Sequence, residues 1–350
     1  MALPTIPRSV NTDIDASTRD LWRKGVVSQV LQKIPLTAKL LSAGQIGFDS
    51  GERITQTVKY QEVDSLMQDY TDDQPMTVGR ILNKTKPYFI SKRAQIPVMH
   101  NADEELYNKG AQPVDLAVTR VQDASRAVKL GLNKRFYKAA ATDTGGSFNS
   151  VIQALNHDAT YGGVTRTISS GTNTWFQGAD INRFASAASS QDTQVAISIN
   201  LIRRMVDVMM EDAEDTSPGN LMFLMGPANY IKLKGMVDAA GKYEYGPMNV
   251  KYGFESFTID GVEIVKDYSL TATKLPVQTA AGYYPQYWVL GLNIADWKLA
   301  IHPSRKFNLT PSVWQGQMAN GTDSYLARIL LAGNLCCFKP NGSIWLSNVQ

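Results

Sequence analysis

The side chains that carry acid–base, nucleophilic or metal chemistry are few in this chain and stand apart. His100, His157 and His302 are its only histidines, and none has a second histidine at metal-ligand spacing. A lone histidine without an identifiable partner reads as structural. Cys336 and Cys337 are the only cysteines and are adjacent, which excludes a disulfide framework and a cysteine-rich zinc site within one chain. The acidic run Glu211, Asp212, Glu214 and Asp215 lacks the glycine and spaced ligands of a calcium loop and reads as a solvated helix end. Phosphate-binding glycine loops and the G-x-S-x-G elbow are absent. Paired carboxylates of the glycosidase kind meet only in a fold, and nothing local points to them. The expectation is no catalytic residue, no metal and no cofactor.

Charge clusters are the more informative chemistry. Asp64, Asp69, Asp72 and Asp73 crowd one polar stretch, a spacing that suits an exposed tip docking on a basic neighbour better than a metal site. Arg120, Arg126, Lys129, Lys134 and Arg135 accompany a helical pattern; such a basic stripe is ordinarily solvated and only secondarily a phosphate contact.

These clusters need elements to hold them. The stretch ERITQTVKYQEV alternates with period two, with Gln56 blunting its apolar face, and a second extended run covers 77–100. The two flank the aspartates, so the pattern predicts a long two-stranded ribbon with an acidic tip. Such a ribbon is marginal alone and needs a covering layer, with another subunit as the candidate. From Gln112 to Lys138, Val114, Val118, Val121, Ala124, Val128, Leu132 and Phe136 recur at spacings of three and four, predicting a helix about 40 Å long. Residues 1–50 read as an arm with a short helix around 18–34 and little core of its own.

Farther on, ISINLIRRMVDVMMED predicts an amphipathic helix presenting Ile199, Ile202, Val206 and Met209, and NLMFLMGPANYIKLKGMVDA a buried strand, a turn at Gly226 and a helix opened by Pro227. Asp260-Gly261 joins two alternating runs as a type I′ hairpin with one apolar and one polar face.

The 350 residues carry a net charge of +3, with 43% hydrophobic and 19% charged residues, placing the chain among globular proteins of roughly two domains. That charge does not demand nucleic acid. The cysteine usage suits a reducing cytoplasm, the N-terminus lacks the apolar core of a secretory signal, and no apolar stretch is long enough for a membrane helix.

The order of arm, ribbon, long helix, compact α/β layer and returning strands resembles the major capsid proteins of tailed phages, which share the Hong Kong 97-type fold. The sequence echoes are HDATYGGVTRTISSGTNTWFQGADI, LMFLMGPANYIKLKGMV, YGFESFTIDGVEIVKD and GNLCCFKPNGSIWLS. The resemblance implies an α+β chain divided into an N-terminal arm (1–50), an extended β-ribbon loop (51–95), a peripheral domain with the spine helix (96–146), an axial α/β domain (147–292) and returning peripheral strands (293–350). It also implies a structural, non-enzymatic subunit, stable chiefly in its shell, that forms hexamers and pentamers of an icosahedral head around DNA. Assembly in the host cytoplasm, a separate scaffolding protein, a portal, a decoration protein and weak nonspecific contact with packaged DNA follow as expectations, with no membrane. Some members of the family crosslink a lysine to an asparagine; Lys84, Lys86, Asn308 and Asn320 supply the residue types, although ordinary solvated side chains account for them, because the reaction needs a buried, preorganised geometry. Two other readings of the sequence are an encapsulin-like compartment shell and an intracellular carboxylate-dependent hydrolase.

Overall fold

The computed structural model describes residues 34–43, 45–47, 51–60, 82–101, 116–138, 146–157, 160–167, 173–179, 195–211, 218–239, 255–271, 287–311, 313–314, 324–347 and 349. The helix expected around 18–34, except its last residue, lies outside these residues, as do Asp64, Asp69, Asp72, Asp73 and Asn320.

In chain order, helix α1 (Pro35–Ala43) leads to strand β1 (Gln45–Gly47) and to the short strands β2 (Arg53–Thr55), β3 (Val58–Lys59), β4 (Lys84–Thr85) and β5 (Tyr88–Ile90). Strand β6 (Lys92–Asn101), helix α2 (Leu116–Phe136), helix α3 (Val151–Leu155) and the hairpin of β7 (Thr160–Tyr161) and β8 (Val164–Thr165) follow. Next come α4 (Ile199–Glu211), β9 (Leu221–Met225), α5 (Pro227–Ala239), β10 (Ser256–Ile259) and β11 (Val262–Lys266). The chain finishes with β12 (Val289–Asn293), β13 (Trp297–Leu309), β14 (Val313–Trp314), β15 (Ser324–Cys337) and β16 (Ile344–Leu346).

Strand β15 is the centre of the first sheet. It pairs antiparallel with β6 on one side and with β13 and then β14 on the other, while β1 adds a parallel edge to β13. Helix α2 lies across one face, where Val128 and Leu132 meet Ala94, Ile96, Ile329 and Leu331 around a cavity of about 40 Å³. The expected apolar stripe of α2 is seen in its described part: Ala124, Val128, Leu132 and Phe136 are buried.

The second sheet runs β10-β11-β9-β12-β16, with β9 and β11 parallel and the other pairs antiparallel. Every residue of β9 is buried, as its uninterrupted apolar run requires of a central strand covered on both faces. Phe223 and Met225 join Ile202, Met205 and Met209 of α4 and Leu233 and Val237 of α5 in one core cluster. Met222 and Leu224 point the other way, into the larger cluster shared with α1, α2 and the first sheet. Pro227 opens α5 as expected, filling a position whose N–H has no helical partner.

The structure departs from these expectations at several places. The hairpin turn has the anticipated form, with φ of 50° at Asp260 and 82° at Gly261, but its second face is not solvated: Ser256, Glu263 and Val265 are buried. Helix α1 accounts for this, since Lys39 Nζ lies 3.9 Å from Glu263 Oε2. The end of the arm is therefore part of the core, with Leu36 and Leu40 fully buried. On α4 the buried residues are Leu201, Ile202, Met205, Val208 and Met209, with Ile199 and Val206 at the margin; a helix lying on a sheet buries a wider arc than a single file of residues. The second extended run divides at Ser91, because residues from Lys92 on pair with β15 rather than with the ribbon. Strand β16, near the end of the chain, pairs with β12 of the second sheet.

Candidate subunit-contact surfaces

Much of the described ribbon stem is exposed. Arg53, Ile54 and Thr55 pair with Ile90, Phe89 and Tyr88, and Val58 and Lys59 pair with Thr85 and Lys84. The paired numbers keep a constant sum on both sides of the gap at 56–57, so one register runs through it. The gap faces Pro87, which has no N–H to give the ladder. Tyr60 N–H continues the same register by donating to Asn83 O at 3.0 Å. Along the stem Arg53, Gln56, Lys59, Leu82, Lys84 and Lys86 are exposed. Lys59 and Lys84 stand directly opposite, a like-charge pair that disfavours the stem by itself.

The stem is anchored at its root. Phe89 is fully buried, with ring centroids 5.0 Å from Tyr161 and 5.2 Å from Phe338. Tyr88 N–H donates to Gly162 O at 2.9 Å, and the Arg53 guanidinium lies 4.7 Å over the Tyr88 ring. Gly162 and Gly163 both take positive φ in the β7–β8 turn, and a Cβ on Gly163 would stand 2.1 Å from Tyr88 Cε1. Higher up, Tyr60 and Trp175 meet at 5.6 Å. Buried Asn334 ties the root together: its Oδ1 accepts from Asn149 N–H and Leu335 N–H, and its Nδ2 donates to Ile90 O at 2.9 Å. A single asparagine inside the apolar run LLAGNLCCF was the signal for such a hub.

A buried polar chain joins α1, α2 and the end of the β10–β11 hairpin. Thr37 Oγ1 donates to Asn133 Oδ1 at 2.9 Å, Asn133 Nδ2 to Ser269 Oγ at 2.7 Å, Ser269 N–H to Asp267 Oδ1 at 2.7 Å, and Tyr137 OH to Asp267 Oδ2 at 2.6 Å. Burial pushes the Asp267 carboxyl above its ordinary range, and the hydrogen bonds from Tyr137 and Ser269 oppose the shift. Burial and the neighbouring carboxylate push the Tyr137 phenol well up. Arg166, also buried, donates to the carbonyls of Gln153, Ala154 and Phe176 and so closes the C-terminal end of α3. Its sequence neighbourhood carries no signal of that role.

The basic residues of α2 do not share one face. Arg126, Lys129 and Lys134 are exposed, whereas Arg120 Nη1 donates to Met99 O at 3.0 Å and Arg135 lines the cavity under the helix. At 3.6 residues per turn Arg135 falls within the apolar arc. Lys84, Lys86 and Asn308 are all exposed. His157 is buried, with Nε2 3.1 Å from Gly178 O, and His302 Nδ1 accepts Ser304 N–H at 3.3 Å inside an irregular stretch of β13. The side chain of His100 lies outside the description. Among the described residues no group of three metal-ligating side chains occurs, and no helix is long and apolar enough to cross a membrane.

No protein-family model matches the chain, and no curated protein matches it. Solved structures do. The capsid asymmetric unit of cyanophage A-1(L) is similar with a TM-score of 0.65 at 12% identity, covering 95% of this chain and 97% of that one. The capsid of an empty GTA particle is similar at 0.60 and 11% identity, covering 98% and 100%. The capsid of Myoviridae phage XM1 is similar at 0.54 and 9% identity, covering 94% and 96%. Over nearly its whole length, this chain has the fold of phage and GTA capsid proteins.

Proposed function

We propose that the chain is a major capsid protein of the Hong Kong 97 type, a structural subunit that assembles as hexamers and pentamers into an icosahedral phage head enclosing DNA. The observation that carries the reading is the ribbon stem: one unbroken register, anchored at its root by Phe89, with charged sides exposed beyond both sheets. A two-stranded ribbon of that kind is stable only against a second layer, and a neighbouring subunit supplies it in a shell. In this reading the ribbon is the extended loop, α2 the spine helix of a peripheral domain built on the first sheet, and the second sheet with α4 and α5 the axial domain. The acidic residues Asp64, Asp69, Asp72 and Asp73 then dock on a basic surface of the next subunit, and a separate scaffolding protein and a portal complete the head.

Electron microscopy of the purified chain, with its mass in solution measured on the same sample, tests this. Closed uniform shells or sheets of five- and six-membered rings are expected. Replacing residues 61–81 with Asn-Gly should abolish them. A uniform monomer of 38.6 kDa, unchanged by crowding agents, overturns the reading.

A further inference from the structure

The cavity between α2 and the first sheet has an apolar end and a cationic end. Its back wall is made by Val128 and Leu132 of α2 and Ile329 and Leu331 of β15, all buried. None of these side chains offers a hydrogen bond, and an enclosed water needs two to four polar partners, so this end takes apolar atoms. The space exists because the adjoining helix position is Gly131, where an added Cβ would meet nothing within 4 Å. At about 40 Å³ the cavity has room for about three water-sized atoms.

The other end is open and charged. Ala127, Gly131 and Arg135 recur at every fourth residue and so lie in one file along the helix. Ala127 is exposed and Gly131 and Arg135 are half-buried, which opens the cavity to solvent along that file. Arg135 makes no ion pair among the described residues. The elements around the cavity do not offer one: β6 and β15 contain no carboxylate, and the only one on α2, Asp123, lies roughly 18 Å along the helix. A guanidinium at the mouth of an apolar cleft suits an anion with a short aliphatic tail, and its planar fork matches a carboxylate in particular.

We propose that this cavity binds a short unbranched aliphatic carboxylate of about four carbons, its tail lying against Val128, Leu132, Ile329 and Leu331 and its carboxylate held by Arg135. The site lies within one chain and does not depend on the shell reading. A ligand there touches both helix and sheet, so it binds the folded chain alone and raises its stability.

Saturation-transfer NMR on the full-length chain, with acetate, propionate, butyrate and hexanoate, tests the assignment. Millimolar binding that tightens about fourfold per methylene from acetate to butyrate is expected, with no further gain at hexanoate. Arg135→Gln should weaken butyrate at least about tenfold and leave 1-propanol unchanged. Gly131→Leu, which fills the space, should abolish both, and Lys129→Gln, an exposed position on the same helix, should change neither. Urea unfolding checks that each variant is folded; should Gly131→Leu not fold, Ala127→Leu blocks the mouth in its place. Absence of binding, equal binding of acetate and butyrate, a loss with Lys129→Gln as large as with Arg135→Gln, or butyrate binding undiminished in the folded cavity-blocking variant overturns the proposal.

Discussion

Asp267 and Tyr137 show how single residues hold the two sheets to the long helix. Losing the Tyr137 hydroxyl leaves a buried carboxylate short of a donor, so Tyr137→Phe is expected to cost about 1–3 kcal/mol, read from urea unfolding. The pH dependence has a definite sign. Because burial raises the Asp267 carboxyl above the ordinary 3.8, its contribution to stability is full below that value and is lost as pH rises through the native one. Relative to wild type, Asp267→Asn should therefore gain in urea midpoint as pH rises from 3.8; a drift the other way would sink the assignment. Two glycines make an opposed pair. Gly131 lies within α2 with no atom within 4 Å of an added Cβ, so Gly131→Ala is expected to stabilise by about 0.5–1 kcal/mol. Gly163→Ala should destabilise, because its φ is +73° and Tyr88 occupies the space. Thermal unfolding of both variants decides.

Helix α1 carries the clearest lesson among the elements. PLTAKLLSA looks like part of a loose arm, yet Leu36 and Leu40 are fully buried and Thr37 starts the polar chain to Asn133. Leu40→Ala is expected to cost about 2–5 kcal/mol, as in any packed core; an unchanged urea midpoint would show that α1 is not docked. The ribbon was legible from its alternation and the hairpin from Asp260-Gly261, because both signals are local. The division of the second extended run at Ser91 was not, since residues on each side of it are equally strand-like and differ only in which distant strand they meet.

Over the whole molecule, two buried apolar clusters lie within one chain, one around the first sheet and one around α4 and α5. The variant with Asn-Gly in place of 61–81 should thus remain a folded monomer with a cooperative urea transition even when assembly is lost. Unfolding together with loss of assembly would return the neighbour to the role of a folding partner. The sequence alone determined the elements with strong period and turn chemistry: the apolar stripe of α2, the buried run of β9, Pro227 at the start of α5, the type I′ turn and the poverty of catalytic groups. Tertiary structure decided which faces are covered, where the arm packs, and that Asn133, Tyr137, Arg166, Asp267 and Asn334 are buried and paired. The reason is physical. Periodicity and turn preference act over a few residues, whereas burial and hydrogen-bond satisfaction depend on strands and helices brought together from distant positions, as Thr37 is with Asn133, 96 positions on, and Asn133 with Ser269, 136 positions on.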